Sequence, residues 1–252
     1  MLRTQKFDQI INICSNLLNN FLPAKQFLDY VDHRISKEAQ LKFQLGYFPD
    51  LNNLNVLDGI IDNKILFDTE LVYNKKIFDA GQSFEVIQPI LQYHNLVMPY
   101  KDVYGEIIAM VGRTLLSDSE REDLNISKYK NTFFDKGKHL FGLFDNKYDI
   151  IKENCAIIVE GQFDCITCVD YGIKNVVALG SASFTESQAA LLLRYTDNIK
   201  IMLDNDPAGI KGRDKIIKRY KNIFNIKQIF IPDGYKDIDE FLKDGGKLDF
   251  IS

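Results

Sequence analysis

Beyond Lys152 the chain changes character, and that change restricts what it can fold into. Short apolar runs at 156–159, 176–179, 199–203 and 226–231 alternate with stretches of helical spacing. The first helix, over 164–171, is stopped by Gly172. The second opens at Thr185, with Gln188 three residues on to complete a capping box, and the third runs over 207–220. Strands alternating with helices at this spacing predict βαβ units and a mostly parallel sheet, because a parallel neighbour is reached only through a long crossover. Residues 153–252 therefore read as an α/β unit that ends in a helical tail.

Residues 1–152 read as α+β. Phe7, Ile10, Ile11, Cys14, Leu17, Leu18 and Phe21 recur at helical spacing, which predicts an amphipathic opening helix ending near Pro23. A second helix is expected over 24–31 and a third, capped by Ser36, through Phe43. Residues 52–84 read only as short strands and turns. Strands over 96–99 and 107–111, flanking a turn at 102–105, predict a hairpin. From 116 to 140 the composition turns polar and basic, as in a loop-rich surface.

With 46% hydrophobic residues, the 252-residue chain can cover a sizeable core in one large domain or two small ones. The net charge of −4 decides little about nucleic acid, since a sum over the chain hides a basic face and an acidic site alike. Cys165 and Cys168 form a CxxC, but a structural zinc site needs four ligands. No second CxxC exists, and His33, His94 and His139 lie far apart, so two small core residues on one helix face are expected, without zinc. No apolar run reaches membrane-spanning length and the first residues show no signal-peptide pattern, so a soluble intracellular protein is expected.

Open α/β sheets place their chemistry beyond the carboxyl ends of the strands, where the loops converge. The first run of the C-terminal unit ends at Glu160, followed by Gly161 and Asp164. The third ends at Asp204, with Asp206 two residues on. The fourth precedes Asp233, Asp237, Asp239 and Glu240. Each acid also has a structural reading: Asp206 before Pro207 suits a helix N-cap, Asp164 suits a first helical turn, and Asp237 with Asp239 suits a solvated charge run. Their shared strand-end placement favours a cation site, because clustered carboxylates destabilise a fold unless a cation neutralises them. Magnesium prefers such ligands and commonly serves phosphoryl transfer.

The segments Glu160-Gly161-Gln162-Phe163-Asp164, Ala178-Leu179-Gly180-Ser181 and Asp204-Asn205-Asp206-Pro207-Ala208-Gly209 resemble, in order, the motifs of the TOPRIM fold, a Rossmann-like α/β unit. Pro232-Asp233-Gly234 and the run from Lys236 to Leu242 are similar to the segment that closes the catalytic core of bacterial DnaG-type primases. Val97-Met98-Pro99-Tyr100-Lys101-Asp102, Gly112-Arg113, Lys128-Tyr129-Lys130-Asn131-Thr132 and the stretch 134–143 are similar to the N-terminal half of that core. Residues 27–49 resemble its opening helices. The resemblance leaves residues 52–90 without a counterpart.

This resemblance implies a DNA-directed RNA polymerase that copies single-stranded DNA into a short RNA primer from ribonucleoside triphosphates. It assigns residues 1–152 to a basic N-terminal subdomain and 153–252 to the catalytic TOPRIM subdomain. Glu160, Asp204 and Asp206 become the catalytic carboxylates. With Asp164, Asp237 and Asp239 they form the set expected to hold magnesium or manganese. Arg113, Lys128, Tyr129, Asn131, Lys136 and Lys138 are expected to contact template or triphosphate, since polyanions need cations. Gln162, Asn205 and Ile238 depart from the family pattern without removing a ligand, and Gln92-Tyr93-His94-Asn95 stands where the family carries arginines. A replicative helicase and a separate zinc-ribbon protein are implied partners, in the cytoplasm of a bacterium or a phage-infected cell. Two alternatives stay open at this point: a TOPRIM nuclease and a non-catalytic accessory subunit that binds single-stranded DNA.

Overall fold

A computed structural model describes residues 1–79, 82–181 and 183–247. Along the chain come α1 (Arg3–Asn20), α2 (Lys25–Asp32), α3 (Lys37–Lys42), β1 (Gly46–Tyr47), α4 (Asn63–Asp68), β2 (Val72–Asp79), β3 (Gln82–Pro89), β4 (Leu96–Lys101), β5 (Ile107–Arg113), α5 (Asp118–Asp123) and β6 (Tyr129–Asn131). They are followed by α6 (Leu143–Glu153), β7 (Ala156–Val159), α7 (Gln162–Asp170), β8 (Val176–Ala178), α8 (Glu186–Leu192), β9 (Asn198–Ile201), α9 (Pro207–Tyr220), β10 (Asn225–Gln228) and α10 (Ile238–Lys243). The chain divides into two compact units. One comprises Met1–His33, Gln44–Tyr100 and Glu106–Phe134; the other comprises Arg34–Phe43, Lys101–Gly105 and Asp135–Ser252.

In the first unit, α1 buries Phe7, Ile10, Ile11, Cys14, Leu17 and Leu18, the stripe that the sequence spacing predicts. This stripe packs on β1 and β5 of a sheet ordered β1-β4-β5-β6. The approach is close enough that a Cβ on Gly46 would lie 2.6 Å from the Cβ of Cys14. Hence no larger residue fits there without moving the helix. Residues 52–84 hold more than the short strands and turns expected of them. They include α4, N-capped by Asp62, and all of β2, which pairs with β3 as a separate antiparallel ribbon from Val72↔Pro89 to Asp79↔Gln82. The stretch after Leu116 likewise contains α5, whose first turn is acidic (Asp118, Glu120) and whose N-cap is Ser117. The basic character expected of that stretch belongs to its second half only.

The second unit is built on four parallel strands ordered β10-β9-β7-β8. Ile158, Val177, Leu179, Ile201 and Leu203 form its core with Ile150 of α6, Leu192 of α8, and Ile216 and Tyr220 of α9. The sequence reading assigned no element to α6, because its apolar stripe is thin: only Leu143, Asn146 and Ile150 are buried along it. Cys165 and Cys168 are fully buried on α7, and burial raises both thiols well above their ordinary value. In chain order the strands run 4-3-1-2 across the sheet. The connections from β7 and from β9 therefore leave in opposite directions, and the topological switch point falls between those two strands.

Candidate active site

Glu160 follows β7 directly, and Asp204 lies three residues beyond β9, so both acids stand at the carboxyl ends of the two strands that flank the switch point. The ladder continues past the strands themselves. Met202 N donates to Ile158 O at 2.9 Å, and Gly180 N to Glu160 O at 2.8 Å. Glu160 Oε2 is buried with no hydrogen-bond partner. Burial, then Asp206, push the Glu160 carboxyl upward, with Lys236 pulling the other way. Asp204 is pushed to about 7, first by burial and then by Glu160, Asp237 and Asp206, again against Lys236.

The other acids have protein partners. Asp206 caps α9: its Oδ1 accepts from Ala208 N at 3.0 Å and Gly209 N at 2.8 Å. The structural reading of this residue is thus realised, on the same loop as Asp204. A Cβ on Gly209 would lie 2.2 Å from Asp204 O, so only glycine lets the first turn of α9 close onto that loop. Asp237 caps α10 through Glu240 N at 2.8 Å. Asp164 is buried in the first turn of α7, where its Oδ2 accepts from Gly161 N at 2.8 Å. Burial, with Asp204, Asp237 and Asp239 adding to it, raises its carboxyl well above the usual range.

Asp239 departs furthest from the expected metal set. Its Oδ1 accepts from Thr167 Oγ1 at 2.6 Å, and its Oδ2 is paired with both Arg34 and Lys243. Burial alone would raise this carboxyl, but Arg34 and Lys243 hold it below its ordinary value. Burial pulls Lys243 downward in turn, against its bond to Asp239. Six acids therefore do not form one ligand set. Among the described residues no three His, Cys, Asp or Glu side chains stand together at ligating geometry. The pair Glu160 and Asp204 still fits a cation, since one buried oxygen has no donor and both carboxyls are destabilised by their neighbours.

The expected phosphate-contacting residues fall in both units. In the first, Arg113 is buried: Nη1 donates to Tyr129 Oη at 2.6 Å, and its guanidinium lies 5.3 Å from the ring centres of Tyr30 and Tyr129. Arg113 and Tyr129 are thus packed against each other. Lys128 is exposed, and Asn131 is half-buried opposite Val111. In the second, Lys138 is exposed and pairs with Asp135 at 3.0 Å, whereas Lys136 Nζ donates to Gly180 O at 2.9 Å. Gly180 bonds Glu160 in turn, so Lys136 belongs to the acid-bearing edge. Two further residues at this edge escaped the sequence reading. Lys236 is the cation that both Glu160 and Asp204 feel. Asn205, noted only as a departure from the pattern, ties its loop to the following one through Ile231 O at 2.9 Å and Tyr235 O at 3.0 Å. The signal for Lys236 was its place as the single base between Asp233 and Glu240.

A fully parallel sheet with destabilised carboxylates at its switch point defines a Toprim-like α/β domain, and residues 157–242 match the family described as Toprim-like. Residues 15–147, just over half of the chain, match the family described as DNA primase catalytic core, N-terminal domain; the chain belongs to the DnaG-type bacterial DNA primases. It is similar to the DNA primase of Clostridium acetobutylicum, with 36% identity over 94% of this chain and 37% of that one. The structure of the zinc-binding and RNA polymerase domains of Aquifex aeolicus primase superposes with a TM-score of 0.79, at 30% identity over 97% of this chain and 58% of that one. A DnaG primase catalytic domain bound to single-stranded DNA superposes with a TM-score of 0.74, at 25% identity over 97% and 77% of the two chains. The chain spans 32% to 46% of the length of the curated relatives it matches. Among the described residues no helix is long and apolar enough to cross a membrane.

Proposed function

We propose that this chain synthesises RNA primers on single-stranded DNA, with Glu160, Asp204 and Asp206 at the reacting end. The observation that carries this reading is the pair Glu160 and Asp204 on the neighbouring strands β7 and β9, lacking a neutralising partner strong enough to hold both ionised. It gains weight from the family to which the chain belongs. The 3′-hydroxyl of a primer or initiating nucleotide attacks the α-phosphorus of the next ribonucleoside triphosphate. The new 3′-O–P bond forms as the bond to pyrophosphate breaks, and pyrophosphate leaves.

Glu160 Oε2 and the Asp204 carboxylate are the groups that would hold magnesium or manganese, with Asp206 beside them. Such an ion, when bound, offsets triphosphate charge and aligns the displaced oxygens. Lys236 and Lys136 are the cations of the same unit available to the anionic substrate. Arg113 holds Tyr129 in place, and Lys128 presents charge to the template. The subdomain roles, with 1–152 gripping template and 153–252 carrying the chemistry, are part of the proposal. So are a replicative helicase and a zinc-ribbon protein as partners in the cytoplasm of a bacterial or phage-infected cell.

The test is incorporation of labelled ribonucleotides on single-stranded DNA with magnesium or manganese, for the native chain and Asp204→Ala. Short RNA from the native chain alone is the expected result, with the variant's yield reduced by at least about a hundredfold, the scale on which charge-stabilising groups act. Activity retained in Asp204→Ala sinks the site assignment. Metal-dependent loss of the template would carry the nuclease reading instead.

A further inference from the structure

In the first unit the structure holds a cavity of about 360 Å³. It opens at the base of the β2–β3 ribbon. Its lining includes the phenol rings of Tyr73 and Tyr93, the amides of Gln88 and Asn125, and the Lys130 ammonium. Tyr73 and Tyr93 are 45% and 43% exposed, so each ring has a side free for contact. Tyr73 pairs across the ribbon with Gln88, and alternation along the strands puts Lys75, Ile77 and Phe84 on the same face. Phe84 is 47% exposed and Ile77 40%. The pocket therefore continues into a strip where aromatic and aliphatic faces alternate with a lysine.

We infer that this pocket takes an unstacked base of single-stranded nucleic acid, with Tyr93 and Tyr73 as stacking faces and Lys130 and Lys75 on the adjoining phosphates. Three features favour nucleic acid over a protein partner. The exposed rings are interleaved with cations, which is how unpaired strands are held without regard to sequence. The amides of Gln88 and Asn125 in the lining can both donate to and accept from a base edge. The volume lies in the range of small-molecule clefts, whereas a protein partner would need a broad, flat surface. One buried group in the lining is already committed: His94 Nε2 is 2.7 Å from Ser127 O, so the imidazole serves the fold.

This inference rests on the template reading above, and the test separates the two. Binding of the full chain to a fluorescent oligothymidylate would be compared with binding to a sugar–phosphate oligomer of equal length that lacks bases, by anisotropy, without metal or triphosphate. Tyr93→Ala is expected to weaken oligothymidylate binding by about 5- to 100-fold, the scale of one stacked base, and to leave the base-free oligomer unaffected. Tyr93→Phe keeps the ring and is expected to bind like the native chain; because both positions are half-exposed, Tyr73→Ala gives a second variant with little risk to folding. Equal losses on both oligomers, or none on either, would overturn the pocket while leaving template binding intact. A native chain that binds neither oligomer would overturn the pocket and the template reading together.

Discussion

Asp204 shows how one residue ties the site to the stability of the chain. Its carboxyl is raised in the fold from an ordinary 3.8 to about 7, so the folded chain holds a proton that the unfolded chain has released. Below pH 3.8 both states are protonated and the residue costs nothing. As pH rises through the interval to about 7 the ionised form is increasingly penalised in the fold, and stability falls. In metal-free buffer the melting temperature should therefore drop between pH 4 and pH 7 by an amount that Asp204→Asn removes. Magnesium should raise the melting temperature of the native chain at pH 7.5 and leave that of Asp204→Asn nearly unchanged, since a ligand stabilises only the state that binds it. Equal pH slopes in the two proteins would refute the assignment of this group. The sequence exposed Asp204 as a strand-end acid but could not give its burial, because burial depends on how the loops after β9 and β10 close over it.

At the scale of elements, two aspartates that look alike in sequence do different work. Asp206 is the N-cap of α9, and a lost cap costs about 1 kcal/mol. Asp239 lies on α10 and anchors that helix to α7 through Thr167 and to the segment before α3 through Arg34. Removing one member of a buried ion pair costs about 3 kcal/mol, because the remaining charges are left uncompensated. Urea denaturation of Asp239→Ala and Asp206→Ala should therefore rank the first as clearly the more damaging. The acid effect has the opposite sign to that at Asp204: the Asp239 carboxyl is held low, so its stabilisation is present above pH 3.8 and is lost as pH falls below it. If Asp239→Ala were as stable as the native chain, Asp239 would return to the list of metal ligands. Nothing in the run Asp237-Ile238-Asp239 distinguishes a cap from an anchor, since the partner Arg34 is 205 residues away.

For the whole molecule, the net charge of −4 says nothing of where the site's own charged groups lie. The destabilised acids belong to the second unit, while Lys128 and the pocket lysines belong to the first. Substitutions in the two should separate cleanly. Lys128→Ala is expected to weaken binding to single-stranded DNA uniformly across sequences and to reduce the salt slope of binding by about 1, while the magnesium-dependent rise in melting temperature persists. Asp204→Asn should do the converse. A Lys128→Ala chain that kept its full salt slope would remove this residue from the template surface.

Sequence by itself determined the elements whose residues alternate or recur strongly. The stripe from Phe7 to Leu18 required a helix with a buried face, and the alternation of apolar runs and capped helices after Lys152 required a parallel α/β sheet, because local periodicity and capping are properties of neighbouring residues. It also determined that acids would stand at strand ends, since strand direction in such a sheet is fixed by its crossovers. Only the tertiary structure decided which acids stay without partners. Asp206 and Asp237 spend an oxygen on their own helices, Asp239 is taken by Arg34 and Lys243, and Glu160 and Asp204 are left with too little neutralising charge. That sorting depends on groups brought together from distant parts of the chain, as does the pocket between Tyr73 and Tyr93. No periodicity in a single chain encodes such meetings; they arise when the core closes and fixes which side chains face one another.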